Sequence, residues 1–158
     1  MNRLVLGLVV AAATVSLFAQ TDVEAPPSGP EDQKKSSVTN DRLVGTWKLV
    51  SAKYGGRTSD VPERYTMLKH ITPTQFMWVS YDDEGVVRRA AGGEYTLNSG
   101  KYAEMPHYGL SADFDIIKGK PQQFDCRIDG ETWHHKGELS NGLTIEEVWK
   151  RVAREPDA

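Results

Sequence analysis

The stretch "KYAEMPHYGLSADFD" concentrates side chains that can do chemistry: Tyr102, Glu104, His107 and Tyr108 lie within seven positions. On an extended chain Tyr102 and Glu104 share a face, because alternate residues point the same way. A carboxylate and an imidazole converging in one cavity are the parts of general acid–base catalysis, and histidine changes charge near neutral pH. Glu104, His107 and His134 would make such a set for an isomerase or lyase. Trp78, Tyr95 and His134 extend it toward a common mouth. The competing reading is plain strand composition, since aromatic residues are favoured in strands whatever their function.

Other reactive residues point to less. Trp133-His134-His135 suggests a metal, but strand neighbours face opposite sides, so the two imidazoles cannot easily share one ion. No His-x-His pair exists, and His70 and His107 lack ligand spacing, so no metal site is expected. Arg88-Arg89 puts one guanidinium inside and one outside. Arg89 is the candidate for an anionic group, with Glu94 or Glu104 as its alternative partners. Cys126 is the single cysteine, so no internal disulfide forms. Between Phe124 and Ile128 it reads as a small buried residue without an activating base. No nucleophile elbow, phosphate loop or dinucleotide fingerprint is present, and no cofactor is expected.

These residues must be held by strands. From Leu43 onward the chain alternates apolar and polar residues in short segments rich in β-branched and aromatic types. The segments run 45–54, 65–71, 75–81, 86–97, 101–108, 122–129, 132–139 and 143–152. Asp82-Asp83-Glu84-Gly85, Asp129-Gly130 and Ser140-Asn141-Gly142 mark hairpin turns. Gly92-Gly93 marks a bulge or sharp bend, and residues 110–117 a helical turn or loop. About eight strands joined by tight turns, or eight to ten, predict an all-β, antiparallel up-and-down barrel, because closure removes exposed edges. A β-sandwich is the alternative. No repeat supports a propeller.

The rest of the chain bounds the setting. Arg3 followed by an apolar run from Leu4 to Phe18 and then Ala19 has the order of a secretory signal peptide, residues 1–19. That run is shorter than the roughly 20 residues of a membrane span. No cysteine sits near the cut, which excludes a lipoprotein. Residues 20–41 are Pro-rich and charged with little apolar content, a disordered linker. The folded domain is placed at 42–153, in the periplasm or secreted. A net charge of -3 provides no positive field for nucleic acid.

"GTWKLVSA", "FMWVSYDDEG", "RRAAGGEYTL" and "GELSNGLTIEEVWKRV" together resemble a bacterial family of secreted lipocalin-like proteins within the calycins, the group that includes lipocalins and fatty-acid-binding proteins. The calycin signature, Gly-x-Trp in the first strand and a basic residue late in the last, matches Gly45, Trp47 and Arg151. The resemblance implies that Trp47 plugs the closed end of the barrel with Arg151 packed over it. Two departures disfavour the fatty-acid-binding branch. Residues 55–64 are too short and polar for its helix pair. Its Arg-x-Tyr carboxylate clamp is replaced by Glu147-Val148-Trp149.

If Trp47 faces inward, alternation carries Leu49, Ser51 and Lys53 to the same side, and Arg151 carries Trp149, Glu147, Ile145 and Leu143. A cavity bordered by Trp149, Glu147 and Lys53 would be apolar with few polar groups, the usual composition of a small-molecule site. Glu147 and Lys53 could instead simply pair. The leading expectation is a binding protein for a small, partly apolar molecule held inside the barrel. Against it stand the acid–base enzyme above and a filled barrel that presents an outer face to a protein partner. The sequence names neither the ligand nor the oligomeric state.

Overall fold

The computed structural model describes residues 39–111 and 114–153. The expected signal peptide, and the linker up to residue 38, lie outside the described residues. Nine strands form one antiparallel sheet: β1 (Gly45–Tyr54), β2 (Arg57–Thr58), β3 (Thr66–Ile71), β4 (Gln75–Tyr81), β5 (Val87–Asn98), β6 (Lys101–Leu110), β7 (Gln122–Asp129), β8 (Thr132–Glu138) and β9 (Thr144–Arg151). The two-residue β2 only folds back onto the end of β1. The other eight pair in chain order, and β1 closes on β9 from Trp47–Arg151 to Tyr54–Ile145. The result is a closed eight-stranded up-and-down barrel. Single helical turns stand at Asn40–Leu43 (α1), Val61–Arg64 (α2) and Phe114–Ile117 (α3). The turn α1 occupies the end of the stretch expected to be linker, and α2 stands where the helix pair of fatty-acid-binding proteins would be. Among the described residues no helix is long and apolar enough to cross a membrane.

One end of the barrel is packed solid. Leu43, Trp47, Phe76, Tyr102, Trp133 and Trp149 are completely buried there or just above it. The rings meet edge-on: Trp47 and Trp133 at 5.5 Å, Tyr102 and Trp133 at 5.6 Å. Such pairs add roughly 0.5–1.5 kcal/mol each beyond the area they bury. The Trp47 indole N–H donates to the Leu43 carbonyl at 2.8 Å, so α1 serves as a lid for the floor. The Arg151 guanidinium lies 4.1 Å from the Trp47 ring centroid and donates to the carbonyls of Val44, at 2.8 Å, and Arg42. A Cβ on Gly45 would come within 2.5 Å of Arg151 Nη1, and its φ of +144° suits only glycine. Gly45, Trp47 and Arg151 therefore form one closure.

Two irregularities set which side chains face inward. In β1 the register slips between Leu49 and Ser51, leaving Val50 as an extra residue. Below the bulge Trp47 and Leu49 are buried; beyond it Ala52 is buried and Ser51 and Lys53 are exposed. The expected inward Ser51 and Lys53 are thus corrected: an inserted residue reverses the alternation, and Tyr54 takes the inward place. In the β5–β6 pair the register slips at Gly92-Gly93, as anticipated there, with His107 the unpaired residue of β6.

Candidate functional site

Above the packed floor the barrel is hollow. A cavity of about 550 Å³ opens at the end opposite Trp47. Its wall is built by the inward phase of each strand. Trp78 and Ser80 come from β4, Phe124 from β7 and Ile145 from β9, while Val61 of α2 and Leu139 stand near the mouth. The volume is that of a small-molecule pocket.

Lys69, Glu104, Glu147, Tyr54 and His135 bring ionisable groups into this wall. Lys69 of β3, 3% exposed, makes an ion pair with Glu104 of β6 at 2.9 Å. Its ammonium also lies 5.2 and 4.9 Å from the Trp133 and Trp149 ring centroids. Glu147 of β9 is 7% exposed and accepts hydrogen bonds from the Tyr54 hydroxyl at 2.8 Å and the Trp149 indole N–H at 3.0 Å. Burial pushes its carboxyl above the ordinary range, against the opposing pull of Lys69. Burial and the adjacent carboxylate likewise raise the Tyr54 hydroxyl. His135 of β8 stands directly opposite Glu147 across the β8–β9 pair. Burial, helped by the positive charge of Lys69, holds its imidazole neutral, well below the ordinary histidine range. Its Nδ1 is buried with no hydrogen-bond partner among the described residues. The Tyr102 hydroxyl lies beside Glu104 without meeting hydrogen-bond geometry.

The structure sorts the expected residues. Trp78, Arg89, Glu104 and Glu147 line the cavity. Trp149 and Tyr102 are fully buried beneath it. Tyr95 belongs to the closed end, where its hydroxyl donates to the Thr72 carbonyl at 2.8 Å; the expected place at the mouth is corrected, since β5 has run down to the floor by that point. His107 is exposed, 3.8 Å from Glu94, because alternation with the inward Tyr102, Glu104 and Pro106 turns it outward. His134 is half-buried and lies outside the cavity lining. Trp133 takes the interior of β8, so alternation sends His135 inward and His134 outward. The proposed acid–base set of Glu104, His107 and His134 therefore does not converge. Arg88 and Arg89 both line the mouth rather than dividing between inside and outside, and Arg88 is bound to Asp82 at 2.5 Å. Cys126 is buried, with its thiol pushed up to about 11 by desolvation. No metal-holding group of three His, Cys, Asp or Glu residues occurs among the described residues.

Sequence reading missed Lys69, His135 and Tyr54. For Lys69 the signal was present in "TMLKHI": Met67, Lys69 and Ile71 share one phase, so an inward Ile71 carries an inward lysine. For His135 it was the phase of Trp133. For Tyr54 there was none, because the bulge leaves no mark in the residue types.

No family model and no curated protein matches this chain. Solved structures do. A lipocalin-like protein from Bacteroides uniformis aligns over 70% of this chain and 99% of its own with 12% identity and a TM-score of 0.50. A biogenic amine-binding protein aligns over 75% and 68% respectively, also with 12% identity and a TM-score of 0.50. At that identity the likeness establishes the fold alone: a lipocalin-like β-barrel.

Proposed function

We propose that this chain binds a small, partly apolar molecule in its barrel and holds it without transforming it. The observation that carries this reading is the cavity of about 550 Å³ above a solid aromatic floor, walled by a mixture of apolar and polar side chains. A barrel built only to display an outer face would have no reason to leave that space unfilled, because unfilled interior costs packing energy. Nor does the polar equipment suggest turnover: Glu104 is occupied by Lys69, and the two candidate histidines lie outside. The charged-then-apolar order of residues 1–19 supports export, with the barrel working outside the cytoplasm.

The test is native mass spectrometry of protein recovered from its own host, together with titration by the neutral fluorophore N-phenylnaphthylamine. The expected result is a retained small molecule, or saturable probe binding that Ser80→Phe abolishes while the fold is kept, because Ser80 is buried in the cavity wall. The absence of both retention and probe binding overturns the reading. Export is checked by the N-terminus of the recovered protein, expected at Gln20; an intact Met1 on protein confined to the cytoplasm overturns it.

A further inference from the structure

Of the charges lining the cavity, most are matched. Lys69 holds Glu104, Arg64 holds Asp60 and Arg88 holds Asp82. The unmatched pair is Glu147 in the wall and Arg89 at the mouth, where solvent reaches it. Glu147 has two neutral donors, Tyr54 and Trp149, but no cation within ion-pair distance among the described residues. A buried carboxylate without a counter-charge is costly, and it has two remedies: a proton, or a cation brought from outside.

Resting on the binding role proposed above, we infer that the ligand is a protonated amine on an apolar body, and that its ammonium pairs with Glu147. Three features of the cavity favour this class. The interior charge already sums to zero without Glu147, since Lys69 and Glu104 are in contact; a buried anion is available and a buried cation is not. Second, aromatic side chains line the cavity itself, among them Trp78, Tyr65 and Phe124, and aromatic faces attract cations. Third, His135 lines the same cavity opposite Glu147 with its Nδ1 unpartnered. A neutral imidazole there tolerates a cation beside it and leaves a polar atom for the ligand's hydrogen-bonding group.

The proton balance is simple. Where Glu147 is protonated in the empty cavity, binding gives a carboxylate–ammonium pair and releases that proton to solvent. The groups facing Glu147 are Tyr54 of β1, Lys69 of β3, Glu104 of β6 and His135 of β8, with Arg89 of β5 at the mouth. The proton does not pass to His135 across the ladder, because burial resists charging that imidazole.

The experiment compares three probes of one shape by titration calorimetry: naphthylmethylamine, naphthylmethanol and naphthylacetate. The amine is expected to bind at least about tenfold tighter than the alcohol. Its advantage should grow from mildly acidic to neutral pH, with proton release visible as a dependence on buffer ionisation heat. Glu147→Gln keeps the shape, since its amide can still accept from Trp149 and donate to Tyr54. It should lose the preference for the amine, so that amine and alcohol bind about equally. An alcohol that binds as tightly as the amine overturns the inference and leaves the cavity reading standing. So does a preference for the carboxylate, which would assign the site to an anion held by Arg89, and so does a Glu147→Gln protein that still prefers the amine. If none of the three binds, the cavity reading falls and takes this inference with it. Should the variant fail to fold, the pH trend and the proton count of the unmodified protein decide.

Discussion

Arg151 shows how much one residue can carry. Its guanidinium covers the Trp47 indole, donates to two carbonyls of the α1 region and reaches Glu131 at 3.1 Å. Arg151→Ala should lower stability by about 1–2 kcal/mol through the lost cation–π contact and packing. Arg151→Lys should recover only part of it, because an ammonium cannot reproduce the planar fork over both the ring and the carbonyls. Denaturant midpoints check both; an unchanged midpoint for Arg151→Ala means the closure does not depend on the pair. The Trp47–Arg151 contact was legible because Gly-x-Trp and a late arginine mark the two ends of the chain that a closed barrel must bring together. Glu147 and Trp149 were legible for the same reason, sharing the phase of Arg151. Lys69 was legible only through its phase with Ile71, against the rule that a lone lysine in a strand is ordinarily solvent-facing; its burial against Glu104 shows that phase outweighs residue type there.

At the scale of elements, strand limits followed from residue types, while phase did not always follow. Glycines, Asp-Gly and Asn-Gly pairs stop strands locally, so β1, β4 and β7 begin and end where the alternation does. Bulges depend on the partner strand, and one inserted residue exchanged Lys53 for Tyr54. The β5–β6 bulge makes its own prediction. A Cβ on Gly93 would collide with the Met105 carbonyl, which is ladder backbone and cannot move aside. Gly93→Ala should cost about 2–3 kcal/mol. Since Gly93 pairs with Pro106, which lines the cavity, the same variant should also weaken probe binding. A variant as stable as the parent would show that the two strands have room to separate there.

For the whole molecule, the hollow upper half makes stability depend on pH through groups buried without full compensation. The His135 pKa is depressed from 6.5 by burial, so the unfolded chain binds a proton that the folded one refuses. Its contribution is intact above about 6.5 and is lost as pH falls, at up to about 1.4 kcal/mol per pH unit. Glu147 has the opposite sign: its pKa is raised from 4.5, so its contribution is complete below that value and is lost as pH rises through the folded pKa. Denaturant unfolding across pH should show a shallower acid limb in His135→Gln and, in Glu147→Gln, no loss on the rise from acidic to neutral pH. Identical slopes in the parent and His135→Gln would mean that the imidazole is charged or solvated in the fold. What the sequence determined by itself was the local part: strand limits, turns, the absence of a disulfide, and through closure the Trp47–Arg151 floor, because alternation and turn chemistry act between near neighbours. The tertiary structure alone decided that the upper barrel is hollow and that Glu147 stands there without a counter-charge. Both depend on how eight strands share one interior, and no single strand's residue types encode that space.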